Sequence, residues 1–475
     1  MPKKNSSLEN VSRVLGKLIS VGLLIAIAFT ALSFGSVEAW SIAIYSLLIL
    51  VLALLWGLKC LIDRELMLTV TGGVWPLLVL IGFGGLQTVA RVDESGRRFA
   101  ISLDVEATHL TLEIAVVLLA SLLLFTTYFA AAERLSWLRI FLVIFGLAIS
   151  VFGLVQKFTW NGKYYWFFTS SLPTEVPLGP FVNRNHFAGY LEMIVPLPIS
   201  LILLRAVRGE LAFFYGFAAA MMSIAIFVSL SRGGMISLMA SVIFVIAFGI
   251  KPAAERLAEP GKSYWSSRYG RILPRVGAIA LIVLTIGVGV WWIAGDAVIN
   301  RAERTQLTNE TRGSAGKETF FQSRGWIWRD TVTMIRANWV FGVGLGAYET
   351  AYSLYGKRDG TLIVSQAHND YLQIVADCGI VGGVITLWFL IVLFRDFSRA
   401  LSHRDEMMAG MALGCGGGIV AMLVHSLFDF NLQLPSNALL FLALTAIVSN
   451  IGSAAVSGKA RPVALSRAAR FSVTA

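Results

Sequence analysis

The sequence predicts an all-α integral membrane protein with about twelve transmembrane helices and one large outer loop. Three observations predict it. Of the 475 residues, 56% are hydrophobic and only 14% are charged, where soluble domains carry about 25% charged side chains. The apolar residues fall in blocks long enough to cross a bilayer, which takes roughly 20 residues per helix. The basic residues between these blocks alternate in number, as they do in loops on opposite faces of a membrane.

The blocks cover about 15–35, 39–58, 67–88, 109–131, 137–156, 186–204, 211–230, 233–250, 274–295, 371–394, 408–428 and 434–453. Lipid offers no partners for backbone N–H and C=O groups, so each block closes its hydrogen bonds internally as a helix. The block 67–88 is the least regular, because Pro76 and several glycines interrupt it. The first block is too long for a signal peptide and no small-x-small cleavage site follows it, so it reads as the first span.

Placing the N-terminus, with Lys3, Lys4, Arg13 and Lys17, in the cytoplasm puts 23 of the 39 Lys and Arg on the inner side, six of them in the 251–275 loop. The short outer loops hold 7, and the remaining 9 lie in the outer loop 296–367, which is too long for the rule to count strictly. Twelve spans with both termini cytoplasmic are self-consistent. The net charge of +11 is therefore a topology signal, and nucleic acid is not an expected partner. Cys60, Cys378 and Cys415 are far apart, with neither metal spacing nor a disulfide framework. The loop 296–367 is the one soluble piece large enough to fold by itself, and short surface helices such as Trp326 to Ala337 are expected in it. The chain divides into helices one to four (1–140), a region 141–453 that includes this loop, and a cytoplasmic tail 454–475.

On this map the unusual polar residues gather on the outer side. GPFVNRNHFAGY carries Asn183, Arg184, Asn185 and His186; SLSRGG carries Arg232; SRGWIWRD carries Arg324 and Arg329; AHND carries His368; HSLFDFNLQLP carries His425 and Asp429. Ionisable groups at membrane depth are costly and usually face a water-filled cavity. Each also has a plainer reading. Arg232 could be an anchor snorkelling to headgroups, although it stands alone in a two-glycine turn. Arg324 and Arg329 could form a solvated helix face, and Arg184 and His186 could merely open a helix. His425 and Asp429, spaced i,i+4, read as a structural hydrogen-bonded pair.

His368 is harder to set aside. Imidazole titrates near neutral pH, which suits a general base. It stands at a helix start where Asn369 or Asp370 can cap, and Gly379, Gly382 and Gly383 would let a neighbouring helix approach closely. Several arginines with one histidine suggest an anionic donor and an acceptor hydroxyl. Guanidinium binds phosphate oxygens bidentately and would stabilise the charge on a leaving pyrophosphate. With no ATP outside the cytoplasm, the donor must arrive already activated, as a lipid-linked sugar diphosphate does. No strand precedes GVGLG (Gly342 to Gly346), so it is not a dinucleotide loop. Asp104, Glu106 and His109 read as a solvated helix start rather than a divalent-metal site; no metal and no cofactor is expected.

At these motifs the chain resembles the O-antigen ligase and Wzy-type polymerase superfamily of bacterial membrane glycosyltransferases, over roughly residues 140–450. The family's pattern of His-Asn, nine residues, Gly, two residues and Gly is met by His368-Asn369, Gly379 and Gly382. The resemblance implies a GT-C-like bundle of twelve helices in the bacterial inner membrane with a large periplasmic loop. It implies metal-independent, inverting transfer of a glycan from undecaprenyl pyrophosphate. His368 matches the base, and Arg232 and Arg324 match positions that engage the diphosphate. Arg184, Arg329 and Asp429 match less closely, with Asn369 and His425 in support. The implied partners are the lipid-linked oligosaccharide donor, a glycan or lipid A-core acceptor, membrane lipid and a chain-length regulator protein. The outer loops lack a strongly basic cluster for docking a phosphorylated core, which favours a polymerase or ligase-like relative over a dedicated lipid A-core ligase. A secondary transporter or flippase is the other class that twelve helices allow, but the polar residues here sit at one face rather than at the midplane.

Overall fold

The computed structural model of the chain describes residues 6–92, 98–169, 178–256, 277, 320–356 and 364–457. The expected span 274–295 (apart from residue 277), the segment 296–319 and most of the tail lie outside the described residues. Within them ten helices are long and apolar enough to cross a membrane. The exceptions to helix are small: a two-stranded antiparallel ribbon pairs Arg91 with Phe99 and Val92 with Arg98.

Helices α1 (Ser6–Leu32) and α2 (Ala39–Asp63) pack side by side, and α1 also touches α4 (Val105–Tyr128) and α5 (Ala132–Phe158). α6 (Arg184–Ile194) and α7 (Pro196–Leu203) form one crossing, followed by α8 (Gly209–Val228) and α9 (Arg232–Arg256). After the undescribed stretch come α10 (Phe320–Ala337) and α11 (Tyr348–Tyr355), and then α12 (Asp370–Leu401), α13 (Glu406–His425) and α14 (Pro435–Ser457). The crossing made of α6 and α7 is the centre of the bundle: 94% of its most apolar window is buried, against 22% for α2. Pro196 and Pro198 remove two N–H donors and divide α6 from α7. The glycines of α13 pack on this break. A Cβ at Gly417 would come 2.8 Å from that of Pro196, and one at Gly418 would strike the Met193 carbonyl. Small residues thus bring two backbones together where side chains could not.

The block 67–88 is not a continuous helix. Only α3 (Val74–Gln87) is helical, and the stretch before it is irregular. Gly72, Gly73 and Pro76 explain the late start. Non-helical backbone among packed helices needs outside partners, and it has them. Thr69 N–H donates to the Thr127 hydroxyl, the Thr126 hydroxyl donates to Thr69 C=O, and Trp56 Nε1 donates to Met67 C=O.

The helix ends sort cleanly. The Leu32, Phe158, Arg184, Val228, Arg232, Asp370, His425 and Pro435 ends meet at one end of the bundle, tied by Asn185 to Asp429, Ser436 N–H to Gly35 C=O, and Lys157 to Val228 C=O. The opposite end carries Arg208–Glu406 at 3.3 Å and the Lys59–Asp63 pair.

Candidate active site

His368 is placed by its neighbours in sequence. Ala367 is pinned on both sides, its N–H donating to Gln373 Oε1 and its C=O accepting from Trp328 Nε1. Asn369 caps α12, accepting from the N–H groups of Tyr371 and Leu372 and donating through Nδ2 to Leu427 C=O. Between these anchors His368 takes a left-handed backbone, φ 50°, a conformation that persists only where surroundings enforce it. Its imidazole is thereby set against the turn after α13, with Nδ1 3.1 Å from Asp429 Oδ1.

Asp429 is the hub. It is 1% exposed and accepts four contacts: His368 Nδ1 and its neighbour Phe430 N–H (3.0 Å) on Oδ1, Asn185 Nδ2 (2.6 Å) and Arg324 Nη2 (3.4 Å) on Oδ2. Burial alone would raise its carboxyl. The His368 hydrogen bond and the charges of His186, Arg324 and His368 outweigh burial and hold it well below the usual carboxylate range. An ionised Asp429 can only accept, so Nδ1 of His368 is the donor. The neutral imidazole then keeps its lone pair on Nε2, and about a third of the His368 side chain remains exposed. The Phe430 ring lies edge-on between His186 and His368, 4.9 Å from each.

The arginines differ. Arg324, on α10, is buried against Asp429; burial draws its pKa down and the carboxylate counteracts this. Arg232 opens α9, exposed, and makes no ion pair among the described residues. Its neighbour Gly233 faces His425 and Phe428, where a Cβ would lie 2.8 Å from His425 Nε2, so Arg232 starts beside the turn that carries Asp429. Arg184 is half-buried at the first position of α6, adjacent to Asn185. Arg329 is not brought to this group: five residues after Arg324 it lies on another face of α10, exposed, its guanidinium 4.8 Å from the Trp326 ring.

The expected His425–Asp429 side-chain pair does not form. The backbone still joins them, Asp429 N–H donating to His425 C=O at 3.0 Å, but the side chains part, and His425 Nδ1 instead meets Glu192 at 2.9 Å. Four residues that sequence reasoning left unassigned matter here: Asn185, His186, Glu192 and Gln87. Asn185 and His186 stood in a quoted motif. Nothing local marks Gln87, which closes α3 yet binds a loop about 250 positions away. Its Nε2 donates to the carbonyls of Phe341 and Asp377, and its Oε1 accepts Leu345 N–H. That loop is GVGLG, and it docks on a kink in α12. Gly379 has φ 62° and ψ −155°. The helix carbonyls freed there, Ala376 and Asp377, accept Val343 N–H and Gly344 N–H at 3.0 Å, while Ile380 N–H donates to Trp339 C=O at 2.8 Å. A Cβ on Gly379 would collide with Val340 C=O, and one on Gly342 with the Asp377 backbone. Gly379 therefore admits a loop rather than a neighbouring helix. Asp104 is engaged as the cap of α4 and by the Thr350 hydroxyl, and those hydrogen bonds lower its carboxyl.

A histidine–aspartate pair with a buried arginine, at one end of a membrane bundle and held by a loop docked on a glycine kink, is a built polar site. Residues 217–387 match the family model described as O-antigen ligase. Over this stretch, somewhat more than a third of the chain, the protein is similar to the O-antigen ligase family. No curated protein matches the chain. The family indicates ligase- or polymerase-type glycan transfer, with a lipid-linked glycan and an acceptor as substrates. The O-antigen ligase stretch contains Arg232, Arg324, His368 and Gly379, whereas Asn185, His186 and Asp429 lie outside it.

Proposed function

We propose that this protein moves a glycan from undecaprenyl pyrophosphate to an acceptor hydroxyl at the periplasmic face of the bacterial inner membrane. His368 is the general base. Its Nε2 takes the acceptor proton as the hydroxyl oxygen attacks the sugar C1. The C1–O bond to the diphosphate breaks on the opposite face, so the configuration inverts, and undecaprenyl pyrophosphate leaves. Asp429 keeps the imidazole proton on Nδ1 and would stabilise the imidazolium that forms, as a carboxylate does in a hydrolase triad. Arg324 and Arg232, with Arg184 next to Asn185, neutralise the leaving diphosphate, a task suited to fixed guanidinium groups, so no metal is required. Arg329, stacked on Trp326, has no part in this scheme.

The observation that carries the reading is the single carboxylate shared by His368 and Arg324. It links the proton acceptor to the charge that would meet the diphosphate. We favour polymerisation over transfer to lipid A-core. A deletion strain complemented with the wild type or with His368→Ala tests both points. We expect long surface polysaccharide only with the wild type and an unmodified lipid A-core attachment in all strains. A normal polymer ladder with His368→Ala removes the base assignment; accumulation of free lipid-linked long polymer in the deletion makes the protein a ligase. Purified enzyme should keep its activity in EDTA, and loss on chelation with recovery on adding Mg²⁺ would overturn the metal-free scheme.

A further inference from the structure

On the opposite half of the bundle, Arg139 is a buried cation whose described partner is a tyrosine rather than a carboxylate. Arg139 lies in the crossing helix α5, 7% exposed, on the face that buries Leu135, Leu138, Leu142 and Val143. Its guanidinium lies 5.9 Å from the ring of Tyr215 on α8. Its Nε and Nη1 are buried without a hydrogen-bond partner, and no carboxylate pairs with it among the described residues. The buried serines Ser150 and Ser223 bond back to their own helix backbones; the Arg139 guanidinium stays charged. A buried cation without an anion is the costly case.

We infer that Arg139 is the head of a binding site for the phosphate of an anionic membrane lipid. Two features identify the ligand class. First, depth: α5 and α8 meet near the His368 end through Lys157 and Val228 C=O, so their starts, with Arg139 and Tyr215, lie at the other end. Arg139 is seven residues into α5, about 10 Å along the helix axis, close below a membrane surface. Second, surroundings: Ile140 and Ile144 on α5 and Phe213 and Phe217 on α8 are exposed beside it, an apolar flank that suits acyl chains. A guanidinium near headgroup depth, flanked by an apolar surface, fits a phosphodiester with its tails in the bilayer. The site is separate from the His368–Asp429 group and does not depend on the reaction proposed above.

The test is native mass spectrometry of the full-length protein released from nanodiscs. One set contains phosphatidylcholine only; the other contains phosphatidylcholine with phosphatidylglycerol. Wild type should retain one phosphatidylglycerol molecule, and Arg139→Leu should retain it at least tenfold less. Arg139→Lys, which keeps the charge and is the control for folding, should fall between them because an ammonium lacks the fork. Millimolar inorganic phosphate should not displace the lipid. Equal retention by wild type and Arg139→Leu overturns the inference. If Arg139→Leu fails to fold, equal retention by wild type and Arg139→Lys overturns it. Full displacement by inorganic phosphate overturns the lipid assignment.

Discussion

At the scale of residues, the chemistry rests on which atom of His368 carries the proton. Asp429→Asn keeps size and shape but replaces an acceptor with an amide that can donate to Nδ1. The favoured tautomer then reverses, and the lone pair leaves Nε2. We expect transfer by the purified enzyme to fall ~10²–10⁴-fold, the usual worth of positioned acid–base catalysis, with the apparent KM for donor little changed. A loss confined to KM would make Asp429 a binding group instead. The pH dependence follows from the sign of the shift. The folded-state carboxyl of Asp429 is depressed, so its contribution to stability is complete above the ordinary carboxylate range and fades only as acid takes the pH down through the depressed value. Between about pH 5 and pH 8 Asp429 does not titrate, so an inflection of activity in that window belongs to another group, and Asp429→Glu should leave it in place. Arg324→Lys should impair activity strongly and Arg329→Ala only mildly, a contrast measurable with one donor preparation. His368 was legible in the sequence because its marks are local: a cap, a glycine pattern and a helix start. Its partner was not. Asp429 lies 61 positions away, and the i,i+4 spacing from His425 pointed to a side-chain pairing that Glu192 takes instead.

At the scale of elements, the kink of α12 decides whether the site can exist. The sequence displays Gly379, Gly382 and Gly383, but glycine in an apolar helix has several uses, and only coordinates separate close helix packing from a break filled by a loop. The break explains the otherwise unplaced GVGLG segment: its N–H groups replace those that the kinked helix withdraws. It also positions His368, since Gly346 N–H donates to Asp377 Oδ2, Gln373 Nε2 lies 3.4 Å from the same carboxyl, and Gln373 Oε1 holds Ala367 N–H beside the histidine. Gly379→Ala must place a Cβ into the Val340 carbonyl with φ positive. The conformational strain alone is about 1–3 kcal/mol. We expect a clear drop in the melting temperature of the detergent-solubilised protein together with loss of transfer. Gly383→Ala, where the nearest atom to an added Cβ is 3.7 Å away, should be tolerated in both assays. Similar behaviour of the two variants would remove the kink from the account.

At the scale of the whole molecule, membrane class and most spans were readable from hydropathy, because bilayer thickness imposes a length that composition reveals directly. The crossing before α4 was harder, since backbone that borrows hydroxyl partners from α4 has no helical length to count. Which end faces the periplasm rests on the distribution of Lys and Arg alone, and that can be tested independently of catalysis. Ser353, at the site end, and Arg404, between α12 and α13 at the other end, are both exposed. In a variant with Cys60, Cys378 and Cys415 replaced by serine or alanine, each position can carry the one cysteine. A maleimide too polar to cross the inner membrane should label Ser353→Cys in cells with a permeabilised outer membrane, and Arg404→Cys only after lysis. The reversed pattern would turn the His368–Asp429 pair to the cytoplasm. A periplasmic acceptor could not then reach it, and the transfer would have to be rewritten around a cytoplasmic glycan, whatever the effects of substitutions at the site.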